Sequence, residues 1–228
     1  MSQREMGFRR HLPNALTVLR LFIAAGFFLA LNQYRFPSIN VGWANLAIVL
    51  FIAAALTDML DGYLARRWKV ESVFGRLMDP FCDKVLVLGA FIYLAGPRFV
   101  IPERVIEASF FVMATGVYSW MVVIIFAREL LVTSIRGSLE SMGMSGEAIW
   151  AGKAKMILQS VAIPVVIFIA VNIEPHRAEE AWKPWAYWAG WFRDVLVYVT
   201  VIVTVWSGWP YVMGLRRVLA RRAERGAA

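Results

Sequence analysis

Residues 41–66 read Val41-Gly-Trp-Ala-Asn-Leu-Ala-Ile-Val-Leu-Phe-Ile-Ala-Ala-Ala-Leu-Thr-Asp58-Met-Leu-Asp61-Gly62-Tyr-Leu-Ala65-Arg66. Positions 41–57 carry no charge. A helix crossing the hydrocarbon core of a bilayer needs about 20 apolar residues at 1.5 Å each, so this run predicts a membrane-spanning helix. It ends in two aspartates three residues apart. Ionisable side chains in or beside such a span are costly to place and usually functional.

The same pattern recurs outward in both directions. Six apolar runs stand out: Ala15–Leu31, Val41–Ala65, Asp79–Ala95, Val105–Leu131, Met156–Val171 and Val195–Leu215. Short Pro- and Gly-containing turns separate them, such as Arg35-Phe-Pro-Ser and Gly96-Pro-Arg-Phe. The whole chain agrees: of 228 residues, 60% are hydrophobic and 18% charged, whereas soluble domains hold roughly 45–50% apolar and 25% charged residues. The fold expected is all-α, a polytopic membrane protein of six transmembrane helices forming one domain over residues 1–228. No internal repeat or long linker divides it. The first run lacks a small-residue cleavage site and reads as a retained span, not a signal peptide. A single cysteine, Cys82, leaves no internal disulfide to form.

Net charge is +8. In a soluble chain that would suggest nucleic acid; here it follows the positive-inside rule. Loops 1–13, 66–78, 136–155 and 214–228 hold fifteen Lys and Arg, and the opposite loops hold six. Both termini are therefore expected in the cytoplasm, with no nucleic-acid partner. The Trp- and Tyr-rich segment Glu174–Trp191 is expected to lie in the outer interface. The basic residues Arg216–Arg225 serve as an orientation signal or bind anionic headgroups.

The chemistry gathers where the second run meets the third. Asp58 and Asp61 lie about 60° apart on a helix, and Gly62 and Ala65 share their face. After eight residues come Gly75, Asp79 and Asp83, the two acids about 40° apart on the next helix. A short connection makes the two helices antiparallel neighbours, so four carboxylates can converge in one cavity facing the cytoplasm. Gly62, Ala65 and Gly75 keep bulk away from its wall. Four close carboxylates do not all stay ionised without cations. An all-oxygen donor set suits Mg²⁺ or Mn²⁺, and two such ions would form the clamp used in phosphoryl chemistry. The competing reading, helix capping or pairing with Arg66, Arg67, Arg76 and Lys84, suffices for one aspartate but not for four.

These positions match the pattern D-x2-D-G-x2-A-R-x8-G-x3-D-x3-D. Eight specified positions at about 5–10% usage each recur by chance on the order of once in 10⁹ starts. The chain thereby resembles the CDP-alcohol phosphotransferase family. Further motifs resemble its phosphatidylglycerophosphate synthase branch over roughly residues 12–172: Pro13-Asn14 with Thr17 and Arg20, Ala127-Arg128-Glu129 with Arg136, and Gly152-Lys153-Ala-Lys155. Met156 departs from that branch, where Thr is frequent.

The resemblance implies displacement of CMP from CDP-diacylglycerol by an alcohol. It implies that Asp58, Asp61, Asp79 and Asp83 hold two metal ions, Mg²⁺ or Mn²⁺, and that Asp83 is also the general base. The nucleotide diphosphate would lie along Gly62, Ala65, Arg66 and Gly75, with Asn14 and Thr17 lining the same cavity. The cations Arg128, Arg136, Lys153 and Lys155 suit an acceptor that carries its own phosphate, and glycerol 3-phosphate matches the branch. Inositol phosphate, or phosphatidylglycerol as in cardiolipin synthesis, would suit the same cations. Arg136 also has a plainer reading as a snorkelling anchor, and Arg128 beside Glu129 as half of an ion pair; Lys153 and Lys155 lie about 200° apart on a regular helix, so they do not both face one site unless Gly152 allows a turn. Relatives imply a homodimer, and the location expected is a bacterial inner membrane. A cation transporter would need a polar path through both halves of the bilayer, and the acids cluster at one end. A catalytically dead lipid-binding scaffold would be expected to lack a signature aspartate, and all four are present.

Overall fold

The computed structural model describes residues 3–37, 41–68, 73–142 and 150–226; within them, surroundings are defined for all except residues 3–14, 64–66, 68, 73–77, 79, 151 and 221–226. The described chain is helical: α1 (Gln3–Gln33), α2 (Gly42–Trp68), α3 (Val73–Leu94), a short α4 (Pro102–Ile106), α5 (Ser119–Ser141), α6 (Trp150–Asn172) and α7 (Lys183–Gly226). No strand forms among the described residues; Val100 and Met113 make one isolated antiparallel bridge.

The helices are inside out compared with those of a soluble protein. On α2, Ala44, Ala47, Phe51 and Ala54 are buried, whereas Val49, Leu56 and Met59 on other faces are exposed. Small buried residues let α1 and α2 approach closely, and bulky apolar residues face outward, as suits a helix surrounded by lipid. α1 packs on both α2 and α3, α6 on α2 and α7, and α7 on α5. Phe27 and Leu31 of α1, Phe91 of α3, Ile125 of α5, Ile163 and Ile167 of α6 and Val197 of α7 fill the common core.

Among the described residues, four helical segments are long and apolar enough to cross a membrane: Ala15–Gln33, Gly42–Tyr63, Gly152–His176 and Lys183–Ala220. Of the six expected spans, the two that fall outside this set lie in α3 and α5. Those helices carry Asp83 and Lys84, and Arg128, Glu129 and Arg136.

One expectation needs correction. The fourth run, Val105–Leu131, is not one helix. It leaves the helical conformation after Ile106 and resumes at Ser119, because residues 107–118 are tied elsewhere. Ile101 N–H bonds Val112 O at 2.8 Å, Ala114 N–H bonds Phe99 O at 2.8 Å, and Thr115 Oγ1 donates to Leu94 O at 2.7 Å. Gly116 turns the chain at φ +66°, where a Cβ would collide with the Asp194 carboxylate. Within Glu174–Trp191 the chain is helical from Lys183, and Trp185, Trp188 and Trp191 are exposed on that helix. α1 contacts both α2 and α3.

A buried ionic knot pins one end of the bundle. The Glu174 carboxylate, its side chain 2% exposed, accepts from Arg104 Nη2 at 3.0 Å, Arg177 Nη1 at 3.0 Å and Arg193 Nη1 at 3.2 Å. Arg193 Nη1 also donates to Ala114 O at 2.5 Å, and its Nε to Asp194 Oδ1 at 2.9 Å. At the same end Asn45 and Asn172 exchange side-chain hydrogen bonds at 3.0 and 3.2 Å.

Candidate active site

Asp61 lies sixteen residues after Asn45 on α2, about 24 Å along the helix axis, and so at the opposite end from the Glu174 knot. There α1 delivers Arg20, one turn after the buried Thr17. Arg20 Nη1 pairs with Asp58 Oδ1 at 2.7 Å, Nη2 pairs with Asp61 Oδ2, and Nη1 lies 3.6 Å from Asp83 Oδ1. The helical spacing of Asp58 and Asp61 puts both against one guanidinium, and Asp83 reaches it from α3.

The cluster has a dry floor and a wet rim. Side-chain exposure is 1% for Arg20 and 5% for Asp61, against 33% for Asp58 and 32% for Asp83. Among the described residues, three carboxylates face the Arg20 guanidinium. Gly62 follows Asp61 and is partly buried. Asn14, Ala65, Arg66, Gly75 and Asp79 lie outside the described residues. Pro80 interrupts the hydrogen-bond ladder of α3 three residues before Asp83.

Beside this cluster is a second one, built on Glu129. Glu129 Oε1 accepts from Arg128 Nη1 at 3.0 Å and from Lys155 Nζ. Arg128 also donates from Nε to Thr204 O at 3.1 Å and from Nη2 to Ser207 Oγ at 2.8 Å. Gln159 Nε2 donates to Thr204 Oγ1 at 3.0 Å, completing a seam across α5, α6 and α7. Lys84, next to Asp83, donates to Thr133 Oγ1 at 2.5 Å, and that hydroxyl donates to Glu129 O at 2.7 Å. Lys84 and Thr133 thus tie α3, next to Asp83, to the backbone of α5 at Glu129. Of the four candidate acceptor cations, Arg128 and Lys155 join this seam, Arg136 is half-buried two turns further along α5, and Lys153 is exposed.

Comparison with known proteins supplies the class. Residues 10–206 match the model of the CDP-alcohol phosphatidyltransferase family. The chain belongs to that family. A Bacillus subtilis protein is 30% identical, and the match covers 88% of this chain and 93% of the relative. A Cereibacter sphaeroides protein is 29% identical with the same coverage, and an Escherichia coli K12 protein is 29% identical over 90% of this chain and 95% of its own. All three are named CDP-diacylglycerol–glycerol-3-phosphate 3-phosphatidyltransferase.

CDP-alcohol phosphatidyltransferases use divalent metal ions. Among the described residues no three His, Cys, Asp or Glu side chains form a ligand group by themselves; Asp58, Asp61 and Asp83 meet on Arg20 instead. The donor chemistry nonetheless fits. The acids are hard oxygen donors, they outnumber the cation they share, and the two outer ones reach water.

Several residues in these clusters carry no role from sequence reasoning. Arg20 sits in the middle of an apolar run, where a buried guanidinium demands an acidic partner, and that demand is the signal that could have found it. Lys84, Thr133, Thr204 and Ser207 left no comparable mark.

Proposed function

We propose that the chain transfers a phosphatidyl group from CDP-diacylglycerol to sn-glycerol 3-phosphate, giving phosphatidylglycerophosphate and CMP. The observation that carries this reading is the gathering of Asp58, Asp61 and Asp83 on one buried Arg20, in a chain whose relatives bear that enzyme's name.

Asp58, Asp61, Asp79 and Asp83 would hold two ions, Mg²⁺ or Mn²⁺, which polarise the diphosphate and neutralise the departing CMP. Asp83 takes the proton from the acceptor hydroxyl. The acceptor oxygen then bonds to the phosphorus that carries the diacylglycerol, and the bond from that phosphorus to the bridging oxygen breaks, releasing CMP. Asp83 suits this role because it is one of the partly exposed acids and can receive a proton from a water-borne substrate. Gly62, Ala65, Arg66 and Gly75, with Asn14 and Thr17, form the nucleotide-diphosphate site. Arg128, Arg136, Lys153 and Lys155 provide the positive field for the acceptor phosphate. Within it, Glu129 holds Arg128 and Lys155 in fixed positions, so the acceptor meets an ordered pair of cations.

The chain would act as one domain with six spans and both termini cytoplasmic, as a homodimer in a bacterial inner membrane, its acid cluster facing the cytoplasm. The apolar outward faces of the helices and the fifteen-to-six distribution of basic residues support this placement.

The test is CMP release by the purified full-length chain in detergent, given CDP-diacylglycerol and a panel of acceptors. Glycerol 3-phosphate should be strongly preferred, and chelation should abolish release until Mg²⁺ or Mn²⁺ is restored. Preference for inositol phosphate or phosphatidylglycerol overturns the acceptor assignment. Turnover that survives chelation overturns the metal mechanism.

A further inference from the structure

We infer that α7 positions Arg128 for the acceptor: Thr204, Ser207 and Gly208 form a notch that holds one edge of its guanidinium and fixes the plane in which its remaining N–H groups meet the acceptor's phosphate. The inference rests on the proposed function, in which Arg128 belongs to the acceptor site, and it adds residues of α7 to that site.

Ser207 and Gly208 follow Thr204 by three and four residues, so the three share one face of α7, and all are buried. Arg128 comes to them from α5. Its Nε donates to Thr204 O at 3.1 Å and its Nη2 to Ser207 Oγ at 2.8 Å, so the edge formed by Nε and Nη2 lies against α7. Gly208 makes room for the stem behind that edge. A Cβ there would stand 3.4 Å from Arg128 Cγ and 3.7 Å from its Nε, and anything larger than a methyl group would crowd it. The notch is itself braced. The Ser207 hydroxyl donates to Thr204 O at 2.7 Å, which leaves its lone pairs to accept from Arg128. Gln159 of α6 donates to Thr204 Oγ1 at 3.0 Å and holds α7 from a third helix.

The partners that α7 offers are neutral. A carbonyl and a hydroxyl fix the direction of a guanidinium without bringing a formal charge to cancel its own. Arg193, at the far end of the bundle, is instead held by two acids, Glu174 and Asp194. Glu129 takes an N–H of Arg128 Nη1, and Ser207 takes one of Nη2. Each of these nitrogens carries a second N–H that the two contacts do not use. Paired N–H groups in one plane are what a phosphate binds best, and they distinguish arginine from lysine in this role. Rotation about the last bonds of the side chain would tilt that plane away from the ligand. The notch prevents it, so a long side chain is ordered during folding and not at the moment of binding.

The test measures CMP release by full-length wild type, Ser207→Ala and Gly208→Val in detergent, varying glycerol 3-phosphate and CDP-diacylglycerol in turn, with thermal unfolding alongside. Ser207→Ala removes one hydroxyl and should raise the KM for glycerol 3-phosphate about fivefold, the usual scale for one lost hydrogen bond. The KM for CDP-diacylglycerol and kcat should stay within about twofold of wild type, as expected when only acceptor binding is weakened. Gly208→Val keeps the hydroxyl but crowds the arginine stem, and should raise the same KM at least as far. A purely structural notch would lower the unfolding temperature and leave the acceptor KM unchanged. That result in either variant overturns the inference, and so does an effect spread evenly over both substrates and kcat. If Ser207→Ala does not accumulate, Gly208→Val decides by the same criteria; if neither accumulates, the notch is structural and the inference fails. Failure of the proposed function shows separately, as a wild type that releases no CMP with glycerol 3-phosphate.

Discussion

The two ends of the bundle hold ionic clusters of opposite composition. At one end a single Arg20 sits among Asp58, Asp61 and Asp83; at the other a single Glu174 sits among Arg104, Arg177 and Arg193. Each central residue is nearly inaccessible, yet the surroundings differ. Around Glu174 the excess cations are spent on protein groups: Arg193 also binds Ala114 O and Asp194, and Arg104 also donates to Phe111 O at 3.1 Å. That cluster is a fastener, joining the 107–118 loop to the ends of α6 and α7. Around Arg20 two of the three acids open to water. Burial and ion pairing alone do not separate a structural knot from a reactive one. What sets the acid cluster apart is the exposure of Asp58 and Asp83 at its rim.

The comparison breaks most readily at Asp83. Asp83→Asn should lower CMP release by about 10²–10⁴-fold, the usual range for loss of a general base, with CDP-diacylglycerol binding retained. Wild-type turnover in that variant would make the acid cluster as structural as its counterpart. The opposite result is expected at the other end. Glu174→Gln leaves three guanidinium groups without their shared carboxylate and should cost about 3 kcal/mol or more, read as thermal unfolding in detergent. Turnover per folded molecule should stay close to wild type, and a large drop in kcat would mean that the two ends are coupled. A smaller effect sharpens the contrast within the loop. Gly116→Ala places a side chain at φ +66° against Asp194 and should cost about 1–2 kcal/mol without altering Mn²⁺ binding.

Much of this could be read from the residues in order, because the main signals are local. The apolar runs gave helices, and the spacing of Asp58 and Asp61 gave a shared face, which the structure turns towards Arg20. The rest depends on partners far apart in sequence. Arg20 and Asp61 are 41 residues apart, and Lys155 and Glu129 are 26 apart; neither pair leaves a periodicity to detect. The start of α5 was hidden for another reason. Phe110-Phe-Val-Met-Ala looks like the middle of a span by composition, but its backbone bonds to residues near Phe99 and its aromatic side chains stay exposed. The cations assigned to an acceptor were recognised as charges, while the sharing of Glu129 between two of them needs the fold.

The alanine-lined inner face of α2 has one more implication. Its bulky side chains already lie in an oily environment, so separating α2 from α1 would not expose them to water, and the familiar hydrophobic driving force has little hold on this pair. Methyl groups in close contact and the ionic link at one tip then account for most of the adhesion. A helix fastened in this way is held most firmly at the tip that bears Asp58 and Asp61, where Arg20 of α1 grips it.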